Sequence, residues 1–297
     1  MSEAAVARTP SRSALVARWR GFVARRPPWF ALLVVVAVLT MAAMPDLLSG
    51  HDPNAQTLRA RFLPPFWLER GTLVYPLGTD GLGRDILSRI VHGTRVSLLV
   101  AMLALLVGGV VGGSLGLISG YARGWIDIVI MRLADSMLAF PMILLAFLLA
   151  VTVGASLWTV VIAVALVIWA RFARVIRGEV LSLRERNFVK LARIAGCGTL
   201  RILWVHILPN VFNTIVVLLT LQLGWVIIVE SSLSFLGAGI PPPTPAWGSM
   251  IAEGRASLTR AWWVCTMPGV ALMLTVLSFN LIGDWLRDVI DPKLRQD

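Results

Sequence analysis

Groups able to do chemistry are few in this chain and far apart. Glu230 is the one acidic residue that hydropathy places deep in an apolar run. An intramembrane carboxylate is costly and usually faces a polar cavity or a partner. Two readings follow: a lining residue of a translocation path, with Gln222 loosely beside it, or a structural hydrogen-bond acceptor near the external end of its run. Asn280 and Asp284, spaced i and i+4, either line such a path or tie their segment to a cytoplasmic loop. A denser group is Gly78-Thr79-Asp80, Gly83-Arg84-Asp85, Arg89 and Arg95, where turn formers alternate with charges. Asp80 or Asp85 pairing with Arg84 or Arg89 would pin this loop to the next apolar run, and a surface pair of that kind contributes only ~0–1 kcal/mol. A docking surface on the external side of the membrane is the alternative.

The familiar catalytic constellations are missing. A Walker A loop needs Lys followed by Ser or Thr, whereas Lys190 and Lys293 are each followed by Leu. There is no H-E-x-x-H and no G-x-S-x-G, and His51, His92 and His206 fall outside the apolar runs. Cys197 and Cys265 lie in segments expected on opposite sides of a membrane and have no metal-ligand spacing. The chain is therefore expected to carry no catalytic residue and to bind no metal or cofactor itself.

What must position these residues is a membrane bundle. The chain has 297 residues, 57% hydrophobic and 14% charged, with a mean hydropathy of +0.80. Its apolar residues come in runs long enough to cross a ~30 Å hydrocarbon core at ~1.5 Å per residue. Six spans are expected at 29–48, 95–119, 130–153, 156–176, 211–236 and 263–285, in an all-α polytopic protein. The net charge of +11 would suggest nucleic acid in a soluble protein. Here it follows topology, and no nucleic-acid partner is expected. With the N-terminus inside, segments 1–28, 120–132, 171–209 and 286–297 hold 19 of the 27 Lys and Arg. The positive-inside rule then puts both termini and the 177–210 loop in the cytoplasm of a multi-pass plasma (inner) membrane protein.

The first 28 residues form a basic tail in which Leu15, Trp19 and Phe22 follow i, i+4, i+7. That stripe suits a short interfacial helix on anionic lipid, and a disordered tail is an equal reading. The first span is read as retained rather than cleaved. Gly108, Gly112 and Gly116 make a small-residue strip, with Gly109 and Gly113 beside it, that lets a neighbouring helix approach closely. Pro141 should kink the third span. PPPTPAW at 241–247 cannot continue a helix and reads as an ordered external loop, with 254–263 as a short re-entrant or surface element.

The 177–210 loop carries its own local signals. Ser182 and Glu185 fit a capping box, and Asn187 fits an N-cap for a helix starting at Phe188. On that helix Phe188, Leu191, Ala192 and Ala195 share a face, away from Lys190 and Arg193. Gly196 and Gly198 supply a stop and a turn, Thr199 caps a second helix running to Leu208, and Pro209 breaks it. An ordered apolar face outside the membrane wants a partner.

This loop resembles the coupling segment of ABC-importer permeases, which reads E-A-A, three residues, Gly, nine residues, Ile, one residue, Leu-Pro. Lys190, Leu191 and Ala192 take the first three places, Gly196 matches, His206 takes the Ile place, and Leu208-Pro209 match. LGTDGLGRDILSRIVHGTRVSL (77–98), SSLSFLGAGIPPPTPAWGSMI (231–251) and FNLIGDWLRDVIDPKLR (279–295) are similar to signatures of the dipeptide and oligopeptide permeases of the C type. Together these stretches cover most of the chain from residue 77 onward, in the family's order and spacing; residues 1–76 match in hydropathy alone.

The resemblance implies a type I ABC-importer permease fold, with residues 77–297 as the transmembrane domain. It implies that 188–209 dock on a cytoplasmic ATPase, so that ATP and Mg are held by one or two ATP-binding partner subunits. A second homologous permease of the B type and an extracellular solute-binding protein complete the expected assembly, in contact with membrane lipid. The cargo implied is a di- or oligopeptide; a nickel complex or haem is the alternative within the class, and a stand-alone secondary transporter the alternative outside it.

Overall fold

The computed structural model describes residues 27–290. The Leu15/Trp19/Phe22 stripe and Lys293 lie outside the described residues. All regular structure there is helical: α1 (Trp29–Ala43), α2 (Ile86–Ala122), α3 (Gly124–Ala139), α4 (Met142–Val153), α5 (Leu157–Arg184), α6 (Asn187–Ile194), α7 (Thr199–Phe235), α8 (Trp247–Arg255) and α9 (Trp263–Ile290), besides two short helical turns before α2. Four helices, α2, α5, α7 and α9, are long and apolar enough to cross a membrane, and α3 with α4 make a fifth span if the bent pair counts as one. The expected first span, 29–48, is shorter: α1 has 15 residues and stops at Met44, ahead of Pro45.

Helices α2 and α5 overrun their expected limits because their extra turns are buried against protein. Helix α2 begins at Ile86, not near residue 95, because the Asp85 carboxylate accepts from the N–H groups of Leu87 (3.3 Å) and Ser88 (3.1 Å). Its first turns carry polar residues that are buried in protein rather than facing lipid. Helix α5 likewise continues past 176 to Arg184, since Ile176 and Val180 are fully buried on its inner face. The capping box at Ser182 and Glu185 therefore does not form. Ser182 lies inside the last turns of α5, where tertiary packing overrides the local capping preference.

The centre of the bundle is the α2–α5 pair. Gly108, Gly112, Gly116 and Gly120 run along one stripe of α2 against α5. A methyl group on Gly112 would sit 2.2 Å from the Trp169 carbonyl oxygen, and one on Gly116 2.7 Å from that of Ala173. The two backbones meet where a side chain would stand.

Pro141 does more than kink its span. Proline drives the preceding residue to extended geometry, and Phe140 has φ −75° and ψ 132°. The axes of α3 and α4 turn through 86°. This pair is the least covered part of the bundle, with Ala134 and Ala146 its buried residues.

Helix α7 is continuous from Thr199 to Phe235. The expected break at Pro209 is replaced by a π-helical stretch, Ile202–Ile207. In an α-helix the Pro209 ring would collide with the carbonyl four residues back. Widening the preceding turn moves that carbonyl aside and lets the rod continue. Ile202 and Ile207, five apart, both turn into the core.

Candidate functional site

Two regions, at opposite ends of the helices, gather the residues singled out in the sequence. The first is built on the loop before α2. Gly78 (φ +81°) and Gly83 (φ +75°) take left-handed turns that other residues resist. Between them Thr79 is fully buried: its hydroxyl donates to the Ala60 carbonyl and accepts from Leu63 N–H at 2.9 Å. Trp263 of α9 donates its indole N–H to the Thr79 carbonyl at 3.2 Å. Trp247 of α8, also buried, donates to Ile90 of α2 at 3.1 Å.

Inside this frame is an ionic cluster. Arg84 Nε lies 2.6 Å from Asp80 Oδ2, and Arg84 NH2 lies 2.5 Å from Glu253 Oε2. Arg89 reaches the same two carboxylates, at 2.9 Å to Asp80 and 3.3 Å to Glu253. Two guanidiniums and two carboxylates thus close a neutral ring joining the loop, α2 and α8. Asp80, Arg84 and Arg89 are buried, so the surface-pair magnitude expected from sequence does not apply. Asp85 is no member of the ring. It caps α2, takes the Ser88 hydroxyl at 2.5 Å and faces His51 at 3.5 Å. Arg95 is exposed one turn beyond. Burial raises the Glu253 carboxyl above the ordinary glutamate range; Arg84 opposes this, and the Asp80 charge adds to it.

Glu253 was invisible to sequence reasoning, because well over a hundred residues separate it from both arginines. Its replacement tests the ring. Glu253→Ala leaves two arginines sharing one carboxylate in a largely dry site. Removing one partner of a buried pair costs about 3–5 kcal/mol, and the low end applies because Glu253 is about a third exposed (34%). The expected result is a clear fall in Tm of the detergent-purified protein, with Glu253→Gln less severe. An unchanged Tm would remove the ring as a stabiliser.

Glu230 is fully buried. Three hydroxyls donate to it: Ser97 of α2 (2.9 Å), Ser234 (2.9 Å) and Ser231 (3.3 Å). The Ser97 bond ties α7 to α2. Asn280 of α9 packs against Gly224 of α7: its Oδ1 lies 2.4 Å from where a Cβ on that glycine would stand. Gln222 is partly exposed on α7.

The second region is α6 with the start of α7. The helix begins at Asn187, after Arg186, and neither Asn187 nor Thr199 makes a side-chain cap. Its C-terminus is a Schellman turn. Gly196 N–H donates to the Arg193 carbonyl at 3.1 Å, Cys197 N–H to that of Ala192 at 3.0 Å, and Gly196 has φ +76°. Gly198 has φ −64° and supplies no left-handed turn.

The apolar side chains of α6 divide differently from the expected single face. Val189 and Ala192 turn inward onto Ile176, Val180, Ile202 and Ile207. Phe188, Leu191 (64% exposed) and Ile194 (83% exposed) turn outward at three-residue spacing. Ala192 thus anchors the helix to its own bundle. Lys190 pairs with Glu185 at 3.4 Å and Arg193 lies over the Tyr121 ring, so both cations are held on their own chain. Leu208 and Pro209 belong to the rod of α7. Beside them an apolar groove of about 650 Å³ runs between α2 and α7, lined by Leu106, Val110, Gly113, Trp204, Phe212 and Leu219. Among the described residues no group of three or more His, Cys, Asp or Glu is placed to hold a metal ion.

Comparison with known proteins agrees with this architecture. Residues 112–296 match the family of the binding-protein-dependent transport system inner membrane component. The di/tripeptide transport system permease protein DppC of Pseudomonas aeruginosa (strain UCBPP-PA14) is 40% identical over 277 residues, covering 93% of this chain and 91% of the relative. The glutathione transport system permease protein GsiD of Pectobacterium atrosepticum is 41% identical over 278 residues, covering 93% and 90%. Among solved structures, the inward-facing MetNI methionine ABC transporter superposes with a TM-score of 0.54 at 18% identity, over 67% of this chain and 95% of that one. Fold, helical pattern and relatives agree, and the chain belongs to the family of inner membrane components of binding-protein-dependent transport systems.

Proposed function

We propose that this chain is one of two permease subunits of an ATP-driven importer that carries di- or oligopeptides inward across the plasma membrane. The observation that carries the reading is the outward row Phe188, Leu191 and Ile194 on α6, an ordered apolar strip left exposed by the described residues. It is the docking face for an ATP-binding subunit. Lys190, Arg193 and Gly196 shape this contact, Ala192 fixes α6 to α5 and α7, and Leu208-Pro209 begin the rod that carries motion into the membrane. ATP and Mg reside on that partner, and this chain contributes no catalytic group.

Both termini and α6 then face the cytoplasm, and the ionic ring lies outside with the α8 segment, where a solute-binding protein would deliver cargo. The second permease covers part of the apolar surface that α3 and α4 leave open. Glu230 is assigned a structural role, because its carboxylate is enclosed by three hydroxyls; Gln222 remains available to a path. Peptide cargo is supported by relatives named for di/tripeptide and glutathione transport.

The test is ATP hydrolysis by the reconstituted complex of this chain, its partner permease, the ATPases and the binding protein. Stimulation by peptide-loaded binding protein is expected. A complex that assembles and hydrolyses ATP but ignores every peptide, while responding to a nickel complex or haem, would reject the cargo. Failure to assemble with any ATPase would reject the importer.

A further inference from the structure

Helix α5 carries four arginines, and three are accounted for. Arg174 pairs with Asp135 at 2.6 Å, and Arg177 is bidentate on Asp127 at 2.5 and 2.7 Å. Arg184 donates to the Tyr121 carbonyl at 2.5 Å. The fourth, Arg171, has no carboxylate and no hydrogen-bond acceptor among the described residues. Its guanidinium carbon lies 3.9 Å from the centroid of the Trp225 ring on α7, and that is its one recorded partner.

The depth of this pair is unusual for a cation. Arg171 lies about 21 Å along the helix from Leu157, and Trp225 about 15 Å from Phe235, at ~1.5 Å per residue. Counted from those ends, both fall within a ~30 Å hydrocarbon core, so Arg171 belongs to the span and not to the cytoplasmic segment 171–209 expected from charge. An arginine this close to the cytoplasmic boundary ordinarily snorkels outward to it. Arg171 is instead held over the Trp225 ring. Side chains on a helix tilt toward its N-terminus, here the Leu157 end, and the contact with Trp225 holds the charge toward mid-membrane. A cation in that position is functional by default and faces a water-filled space or a partner. Both Arg171 and Trp225 are partly exposed. Gln222 lies one turn before Trp225 on the same side of α7.

Stacking uses the face of a guanidinium and leaves its edge, with five N–H donors, free. That edge fits a carboxylate with two parallel hydrogen bonds. A free C-terminus is the one anionic group every linear peptide carries whatever its side chains. Resting on the importer reading above, we propose that Arg171, held by Trp225, is a carboxylate-binding residue on the translocation path that takes the C-terminus of the passing peptide. Its rigid perch explains how one residue serves cargo of varied sequence.

The experiment uses proteoliposomes holding the full complex and compares uptake of a dipeptide, its C-terminal amide and its N-acetyl derivative by wild type, Arg171→Gln and Arg171→Lys. The binding protein is the same throughout, so the variant-to-wild-type ratio for each peptide isolates the permease. The expected result for Arg171→Gln is a loss of about ten-fold for the free acid and the N-acetyl peptide, as for one charge-assisted hydrogen-bonded contact. The amide should lose less than two-fold, and Arg171→Lys should restore part of the free-acid uptake. Equal losses for acid and amide, or no loss, would overturn the proposal. An aspartyl dipeptide amide separates the two sources of carboxylate: insensitivity is expected, and sensitivity equal to the free acid's would overturn the terminal assignment. If Arg171→Gln does not assemble, the acid-to-amide ratio of Arg171→Lys decides in the same way. A wild-type complex that takes up no peptide at all is a different result, and counts against the importer reading instead.

Discussion

Gly112→Val yields no stable protein. A Cβ at this position would stand 2.2 Å from the Trp169 carbonyl oxygen and 2.7 Å from Phe172 Cβ, and neither neighbour can swing away as a long side chain would. The α2 and α5 axes must separate, and the stripe at Gly108, Gly116 and Gly120 then loses its contacts as well. Overpacking alone costs typically 1–3 kcal/mol. A clash with backbone along the central pair exceeds that range, because several turns must move together. Expression in the membrane fraction and the elution profile in detergent check this, with loss of the monodisperse peak expected. Gly113→Val is the control: a Cβ on Gly113 meets nothing within 4 Å, and that variant should purify normally. If both behave alike, the α2–α5 contact is not the one described.

Leu191→Asp combined with Ile194→Asp gives the reverse outcome, a folded protein without transport. Both side chains project into open space, so the isolated chain loses no packing and its Tm should stay within about 1 °C of the parent, as for surface substitutions worth under ~0.5 kcal/mol. Against an apolar groove on an ATPase, two unpaired carboxylates would each lose hydration without compensation. Peptide uptake should fall at least a hundred-fold, as two or more buried-charge penalties imply. Co-purification of the ATPase with the tagged permease checks the cause. Normal capture with normal uptake would remove α6 from the coupling role. The same substitution at Val189, which is buried, should instead destabilise the chain itself.

How much of this was legible beforehand differs from residue to residue. The Gly108–Gly112–Gly116 stripe was readable because small residues at four-residue spacing have one geometric meaning. Gly196 was readable because a Schellman turn demands a left-handed residue. The start of α2 was not, because Ser88, Arg89, His92 and Thr94 depress local hydropathy, and hydropathy cannot tell burial in protein from exposure to water. The outward row on α6 was misread at Ala192, which turns inward, and at Ile194, which was not expected on it; only the packing of Ile176 and Val180 decides which stripe turns inward. Pro209 was read as a stop because the rule for proline assumes α-helical spacing ahead of it. The π turn at Ile202–Ile207 evades that assumption. Glu253, Ser97 and Trp225 act across helices, and nothing local announces such partners.

The unbroken course of α7 has a mechanical consequence. At ~1.5 Å per residue its 37 residues make a strut of about 56 Å. Its lower end stands beside the Schellman turn, and its upper end is stapled to α2 through Glu230 and Ser97. Between these ends Gly224 packs against Asn280 of α9 and Trp225 lies under Arg171 of α5, so the strut is held at several heights. A push at Thr199 is therefore shared among α2, α5 and α9 along the span rather than delivered at one point.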